Sequence, residues 1–308
     1  MNNYPQDSFT PTISFTLFIK PQIRNMSFGI NTFLFTSPFT DSSTALFASF
    51  KRWGFDSVEI ALEDPSHIDL AFVKKQLDKH GLVCNSVCAA MGPDRDFRGN
   101  KEQQNNSMKY LKGLIDCMET LESQILVGPL YSSVGRANEE AEADYELQWQ
   151  MVAGHLKTLA DYASSKGKKL AIEPLNRFET DFINTCDQGL KMIREVGNSN
   201  LSLHLDTFHM NIEEKDSAEA ILKAGKHLGH FHASGSDRGT PGKDHINWKS
   251  ITKALDTINY KGDIVIESFT KDVKVIARAA AIWRQVESSQ DEIASDGIKF
   301  LKNEFLYS

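Results

Sequence analysis

The chain has 308 residues, 41% hydrophobic and 24% charged, a globular mixture that can bury a sizeable core as one large domain or two ordinary ones. Its formal net charge of −7 argues against a nucleic-acid partner, which requires a basic face to displace counterions from phosphate. No apolar run approaches the roughly 18 residues needed to span a bilayer, which argues against a membrane protein.

Residues 1–25 carry three prolines and one short apolar patch, Ile13 to Ile19, without the basic start and small-residue cleavage site of a secretory signal. They read as a poorly ordered extension, with a single domain over residues 26–308. The four cysteines, Cys84, Cys88, Cys117 and Cys186, form no CxxC pair and read as buried free thiols of a reducing, cytoplasmic compartment.

From Met26 onward, short β-branched or apolar runs alternate with longer helical stretches. The expected strands are Phe28–Phe35, Ser57–Leu62, Leu82–Ala90, Gln124–Tyr131, Lys169–Leu175, Leu201–Met210, Gly229–Ser234 and Asp263–Phe269. The expected helices are Ser42–Trp53, Leu70–His80, Asn106–Leu121, Tyr145–Ser165, Cys186–Val196, Ala218–His227, Trp248–Ile258 and Val273–Leu301. Gly54, Gly81, Gly167, Gly197 and Gly262 fall between helix and following strand, where glycine ends a helix cheaply. Eight strand–helix units predict an α/β fold, a single (β/α)₈ TIM barrel. A doubly wound open sheet is the alternative. It would show a glycine-rich turn after its first strand, whereas this one ends in Phe35-Thr36-Ser37-Pro38.

Such barrels carry their chemistry at the C-terminal ends of the strands. The fifth strand ends in Ala171-Ile172-Glu173-Pro174, the sixth in His204-Leu205-Asp206-Thr207, the seventh in His230-Phe231-His232, and the eighth in Ile266-Glu267-Ser268-Phe269. Strand alternation groups Asp206 with His204 and Ser202, opposite Leu201, Leu203 and Leu205. Glu173 pairs with Ala171, His232 with His230, and Glu267 with Val265. Each strand therefore delivers one metal-capable side chain to the barrel mouth. Three carboxylates and an imidazole suit Mn²⁺ first, with Co²⁺ or Mg²⁺ as alternatives, rather than a thiol-rich structural zinc. Without a cation, the carboxylates would repel one another. Glu179 and His209 follow the fifth and sixth strands, where βα loops and substrate contacts are expected. Arg238 lies in a shaped loop, Ser236 to Gly242, after the seventh.

These stretches resemble the ketose 3-epimerases, the D-tagatose and D-psicose 3-epimerase family within the xylose-isomerase-like barrels. The resemblance is carried by GINTFLFTSPF (Gly29–Phe39), FDSVEIALEDP (Phe55–Pro65), AAMGPDRDF (Ala89–Phe97), AIEPLNRFET (Ala171–Thr180), LHLDTFHMNIEE (Leu203–Glu214), GHFHASGSDRGTPG (Gly229–Gly242) and IVIESF (Ile264–Phe269). EPLNRFE combined with LDTFHMN is specific, whereas ESF alone is weak. The resemblance implies one divalent ion per subunit held by Glu173, Asp206, His232 and Glu267. It implies substrate contacts from Glu179, His209 and Arg238, with Phe269 as a pocket wall, and a homodimer or homotetramer. The implied reaction is epimerisation of free ketoses of the D-tagatose, D-psicose and D-fructose type at C3 through a cis-enediolate, with Glu173 and Glu267 as the acid/base pair. The chain departs from the family's His-x-Gly-Glu-x-Asn-Arg run, with Gly235 in place of the glutamate and Asp237 in place of the asparagine. Rival readings on the same barrel are a 1,2-aldose–ketose isomerase, a hydroxypyruvate isomerase or an inosose dehydratase. A multi-zinc DNA-repair endonuclease would need more strand-end histidines and a basic groove, and a non-catalytic sugar binder would not need two flanking acids.

Overall fold

The structure, a computed structural model, describes residues 26–137 and 142–307. The segment read above as an N-terminal extension lies outside the described residues. Eight parallel strands close into a barrel in chain order. They are β1 Phe28–Asn31, β2 Ser57–Leu62, β3 Ser86–Ala89, β4 Ile125–Gly128, β5 Lys169–Ile172, β6 Leu201–Asp206, β7 Leu228–Ala233 and β8 Ile264–Ile266. The ring shuts where Phe28 to Ile30 of β1 pair with Ile264 to Ile266 of β8.

Helices wrap the outside: α1 Phe47–Trp53, α2 Leu70–His80, α3 Lys101–Leu121, α4 Glu142–Ser165, α5 Cys186–Val196, α6 Thr207–Glu213, α7 Ser217–Ala224, α8 Trp248–Thr257, α9 Lys274–Ala279 and α10 Gln290–Tyr307. Local chemistry fixes their ends. Asp69 caps the N-terminus of α2 and Gly81, at φ 62°, ends it. Thr185 and Gln188 form a capping box on α5, which Gly197 closes at φ 64°. None of the described helices is long and apolar enough to cross a membrane.

Three expectations are corrected. The sixth strand stops at Asp206 rather than Met210, because the Asp206 carboxylate accepts the Phe208 N–H (2.7 Å) and starts α6. His209 therefore sits on a helix, not in a loop. The single helix expected over Val273–Leu301 is two, α9 and α10, separated by a turn in which Ala281 takes φ 55°. Ser289 starts the second piece by accepting the Glu292 N–H (3.1 Å). Several strands are also shorter than expected, since the first gives way to a 3-10 turn over Thr32–Leu34.

The outward strand residues, among them Val58, Ile60, Leu203, Leu205, Phe231, Ile264 and Ile266, pack under the helices as one continuous core. The inward positions differ. Ala61, Cys88, Val127 and Ala171 are small and apolar, while Asn31, Glu59, His204, His230 and His232 are polar, and all are buried. The interior thus carries a polar column under the mouth.

All four cysteines are free and buried. Burial raises the Cys84 and Cys186 thiols to about 12 and Cys117 to about 11. We expect the native chain at pH 8 to react with an aromatic disulfide more than about 100-fold slower than the unfolded chain. A rapidly reacting native thiol would contradict the burial.

Candidate active site

The mouth of the barrel opens into a cavity of about 330 Å³. Glu173, which follows β5, and Glu267, which follows β8, line it, and Asp206 at the end of β6 and His232 in β7 lie against them just beneath. Each offers a ligand atom, and the four atoms lie within 4.8 Å of one another. All four residues are at most 6% exposed. The structure thus brings together the four residues that strand parity pointed to. Glu179, His209, Arg238 and Phe269 line the same cavity.

Arg238 is the cation of this floor. Its Nη1 donates to Asp206 Oδ2 (2.6 Å), Glu267 Oε2 (2.9 Å) and Ser234 Oγ (3.1 Å). Its guanidinium lies 4.2 Å from the Phe208 ring centre and 4.6 Å from that of Phe269. The backbone turns it inward at φ 66°, a left-handed conformation that a non-glycine residue adopts at a cost. The neighbouring departures from the family run follow from this tight loop. A Cβ on Gly235 would lie 2.9 Å from the Gly239 carbonyl oxygen, so a glutamate there would require the loop to move. Asp237 accepts the Gly239 N–H (3.0 Å) and pairs outward with Arg284 (3.1 Å).

The two histidines are gripped on both ring edges. The Asn176 backbone N–H reaches His209 Nδ1 (3.0 Å), and Arg238 Nη2, which can only donate, lies 3.0 Å from His209 Nε2, itself 3.7 Å from Glu173 Oε1. Burial, reinforced by Arg238, keeps this ring well below its ordinary pKa. His232 Nε2 lies 2.7 Å from Glu59 Oε1, and its Nδ1 faces Glu267 Oε2 at 3.4 Å and Asp206 Oδ2 at 3.9 Å. Burial works against a charge on this ring, but Glu59 and Glu267 override it and hold its pKa well above the ordinary value.

The acids are unequal. Burial and the nearby Glu267 raise the Glu173 carboxyl well above the usual range. Burial works the same way on Glu267, but His232 and Arg238 override it and hold that carboxyl low. Burial raises Asp206 against the pull of Arg238, and burial raises Glu179. Burial and mutual crowding thus oppose ionisation of Glu173, Asp206 and Glu179, an opposition that a divalent cation would offset. Two atoms match that need: Glu173 Oε1 and His232 Nδ1 are buried without a hydrogen-bond partner. The donor set of carboxylate oxygens and one imidazole fits Mn²⁺, Co²⁺ or Mg²⁺.

Most of the remaining wall is apolar, with Ser37, Glu63 and Arg95 as its polar members. Phe33, Met91, Val134, Val275 and Ile276 line it, the last two from α9. This wall follows from the split of the C-terminal helix and was not foreseen. Glu59 and Asn31 were also missed. For Glu59 the available signal was the alternation in Ser57-Val58-Glu59-Ile60-Ala61-Leu62, which groups it with Ser57 and Ala61 opposite Val58, Ile60 and Leu62.

Residues 47–304 match the family model described as a xylose isomerase-like TIM barrel. A probable ketose 3-epimerase of Synechocystis sp. is 36% identical over 92% of this chain and 98% of its own length. An L-ribulose 3-epimerase of Methylomonas sp. is 32% identical over 82% of this chain and 88% of its own. The crystal structure of D-allulose 3-epimerase from Methylomonas sp. superposes with a TM-score of 0.85 at 30% identity, covering 91% of this chain and 98% of that one. Barrel, mouth and relatives agree over nearly the whole described length: this chain belongs to the ketose 3-epimerases, isomerase-class enzymes on the xylose isomerase-like barrel.

Proposed function

We propose that this protein epimerises free ketoses at C3, with Glu173 and Glu267 exchanging the C3 proton. The observation that carries this reading is the pair of buried carboxyls that follow two different barrel strands, each with an oxygen in a four-residue group whose ligand atoms all lie within 4.8 Å of one another. Two acids at a shared floor can take a proton from carbon and return one to it. Inversion follows when removal and return come from different faces of the sugar. The roles exchange with the direction of the reaction.

Glu173, Asp206, His232 and Glu267 would hold one divalent ion per subunit, with Mn²⁺ as the first choice. When bound, such an ion supplies Lewis-acid polarisation of the ketone and a counter-charge for the enediolate. The protein's own groups do the rest. His209, the Arg238 guanidinium and Glu179 contact sugar oxygens, with His209 Nε2 also against Arg238 Nη2 (3.0 Å), and Phe269 walls the cavity beside Arg238. D-Allulose is the sugar bound in one solved relative. A free sugar fits better than a phosphorylated one. The two arginines lining the cavity are both engaged, Arg238 by Asp206 and Glu267, and Arg95 by the Glu63 carbonyl (2.9 Å). The cytoplasmic setting rests on the four free cysteines, and the homodimeric or homotetrameric assembly on the family resemblance.

The test is product analysis after incubation with D-fructose, D-psicose, D-tagatose and L-ribulose in the presence of Mn²⁺. The C3 epimer is the expected product. An aldose, or a dehydrated product, would favour the rival isomerase or dehydratase.

A further inference from the structure

Beneath the floor, Glu59 is 1% exposed and no bulk solvent reaches it. Its carboxylate is nonetheless surrounded by donors. Oε1 lies 2.7 Å from His232 Nε2 and accepts from Asn31 Nδ2 at 2.8 Å. Oε2 accepts from Ser86 Oγ at 2.5 Å and lies 2.7 Å from His230 Nε2, out of line for a straight hydrogen bond. Burying a carboxylate this deeply is costly unless its partners hold it. The Asn31 amide is itself fixed, because its Oδ1 accepts the Phe33 N–H (2.8 Å), and its Nδ2 also reaches Glu267 Oε1 (3.2 Å). His204 packs edge-on against the His232 ring, with centroids 4.0 Å apart, and sets the plane of that ring.

The consequence lies at His232. A neutral imidazole has one N–H and one lone pair. When His232 is neutral, as a metal-ligating imidazole must be, an N–H drawn to Glu59 puts the lone pair on Nδ1, the buried atom that has no hydrogen-bond partner and faces Asp206 and Glu267. We propose that Glu59 is the positioning residue of this centre: it fixes the tautomer and aim of His232 for a divalent cation and, through Asn31, ties that geometry to Glu267. Glu59 touches neither the ion nor the sugar in this scheme and acts only through its neighbours. The proposal rests on the metal reading above.

The test is Glu59→Gln, which keeps the shape and removes the charge. Titration calorimetry with Mn²⁺ alone should show affinity falling by about 10–100-fold relative to the unaltered chain. A merely structural role would lower the melting temperature and leave the Mn²⁺ affinity of the folded variant unchanged, and that result would overturn the proposal. Nitrogen-15 NMR of His232 in the unaltered metal-free chain gives an independent readout, which decides the matter if the variant does not fold. Nε2 should carry the proton that faces Glu59, and a ring protonated at Nδ1 alone refutes the role. If the unaltered chain takes up no ion, the metal reading fails, and the Nε2 proton alone then decides whether Glu59 orients His232.

Discussion

Replacing Glu173 by Gln is expected to lower turnover of a ketose by about 10³–10⁴-fold while the chain stays folded and melts no lower than before. The first half follows from chemistry, since an amide of the same shape can neither take nor return a carbon-bound proton. The second half follows from the surroundings. The residue's main chain is held independently of its carboxylate, by Gly128 O accepting its N–H (3.1 Å) and by its own carbonyl accepting the Tyr131 hydroxyl (2.8 Å). Its Oε1 has no hydrogen-bond partner, and its ionised form is opposed by burial and by Glu267. Removing an acid that the fold disfavours costs little and can add stability, as expected where activity is held at the expense of the fold.

Glu267→Gln should lose turnover to a similar degree, but with a different stability signature. Glu267 accepts from Arg238 (2.9 Å) and Asn31 (3.2 Å) in a buried setting. An amide there keeps one acceptor and sets N–H groups against a guanidinium. We expect a loss of about 1–3 kcal/mol, read as a melting temperature lower by several degrees. Initial rates by chromatography and thermal melts of both variants check the pair. Full activity in either would remove the two-acid scheme.

Stripping the protein with a chelator should silence it by at least about 10³-fold, the scale of several kcal/mol of transition-state charge stabilisation. Mn²⁺ or Co²⁺ should restore the rate. The same addition should stabilise the fold, because a ligand that binds only the native state at 100 times its Kd contributes about 2.7 kcal/mol, or roughly 5–10 °C in a domain of this size. The crowding of buried carboxyls whose ionisation the fold opposes is what makes the ion stabilising as well as catalytic. A rate and a melting temperature both indifferent to the chelator would contradict this.

The parts of the barrel legible in the sequence were those with local signals at their ends. β2, α2 and α5 run between the residues expected, the two helices because Asp69, Gly81, Thr185 and Gly197 cap them. Strand ends were harder to read, since Thr32–Leu34 and Thr207–Glu213 are as apolar as a strand and only hydrogen bonding makes them helical turns. The C-terminal helix read as unbroken because its apolar spacing continues through the turn, and the Ser289–Glu292 capping signature that breaks it was overlooked. In the site, one residue at each of four successive strand ends is a pattern that parity resolves. Glu59 was not legible in that way. A single acid in β2 looks like a solvated position until ring closure turns its face inward to His230 and His232.

The most direct measurement is NMR of D-fructose or D-psicose incubated in deuterated water with the Mn²⁺-loaded protein. Deuterium should enter at C3 as the C3 epimer accumulates, and both should vanish in the Glu173→Gln protein. Deuterium at C1 with an aldose forming, or a ketose recovered without exchange, would show that these carboxylates do not carry a C3 proton.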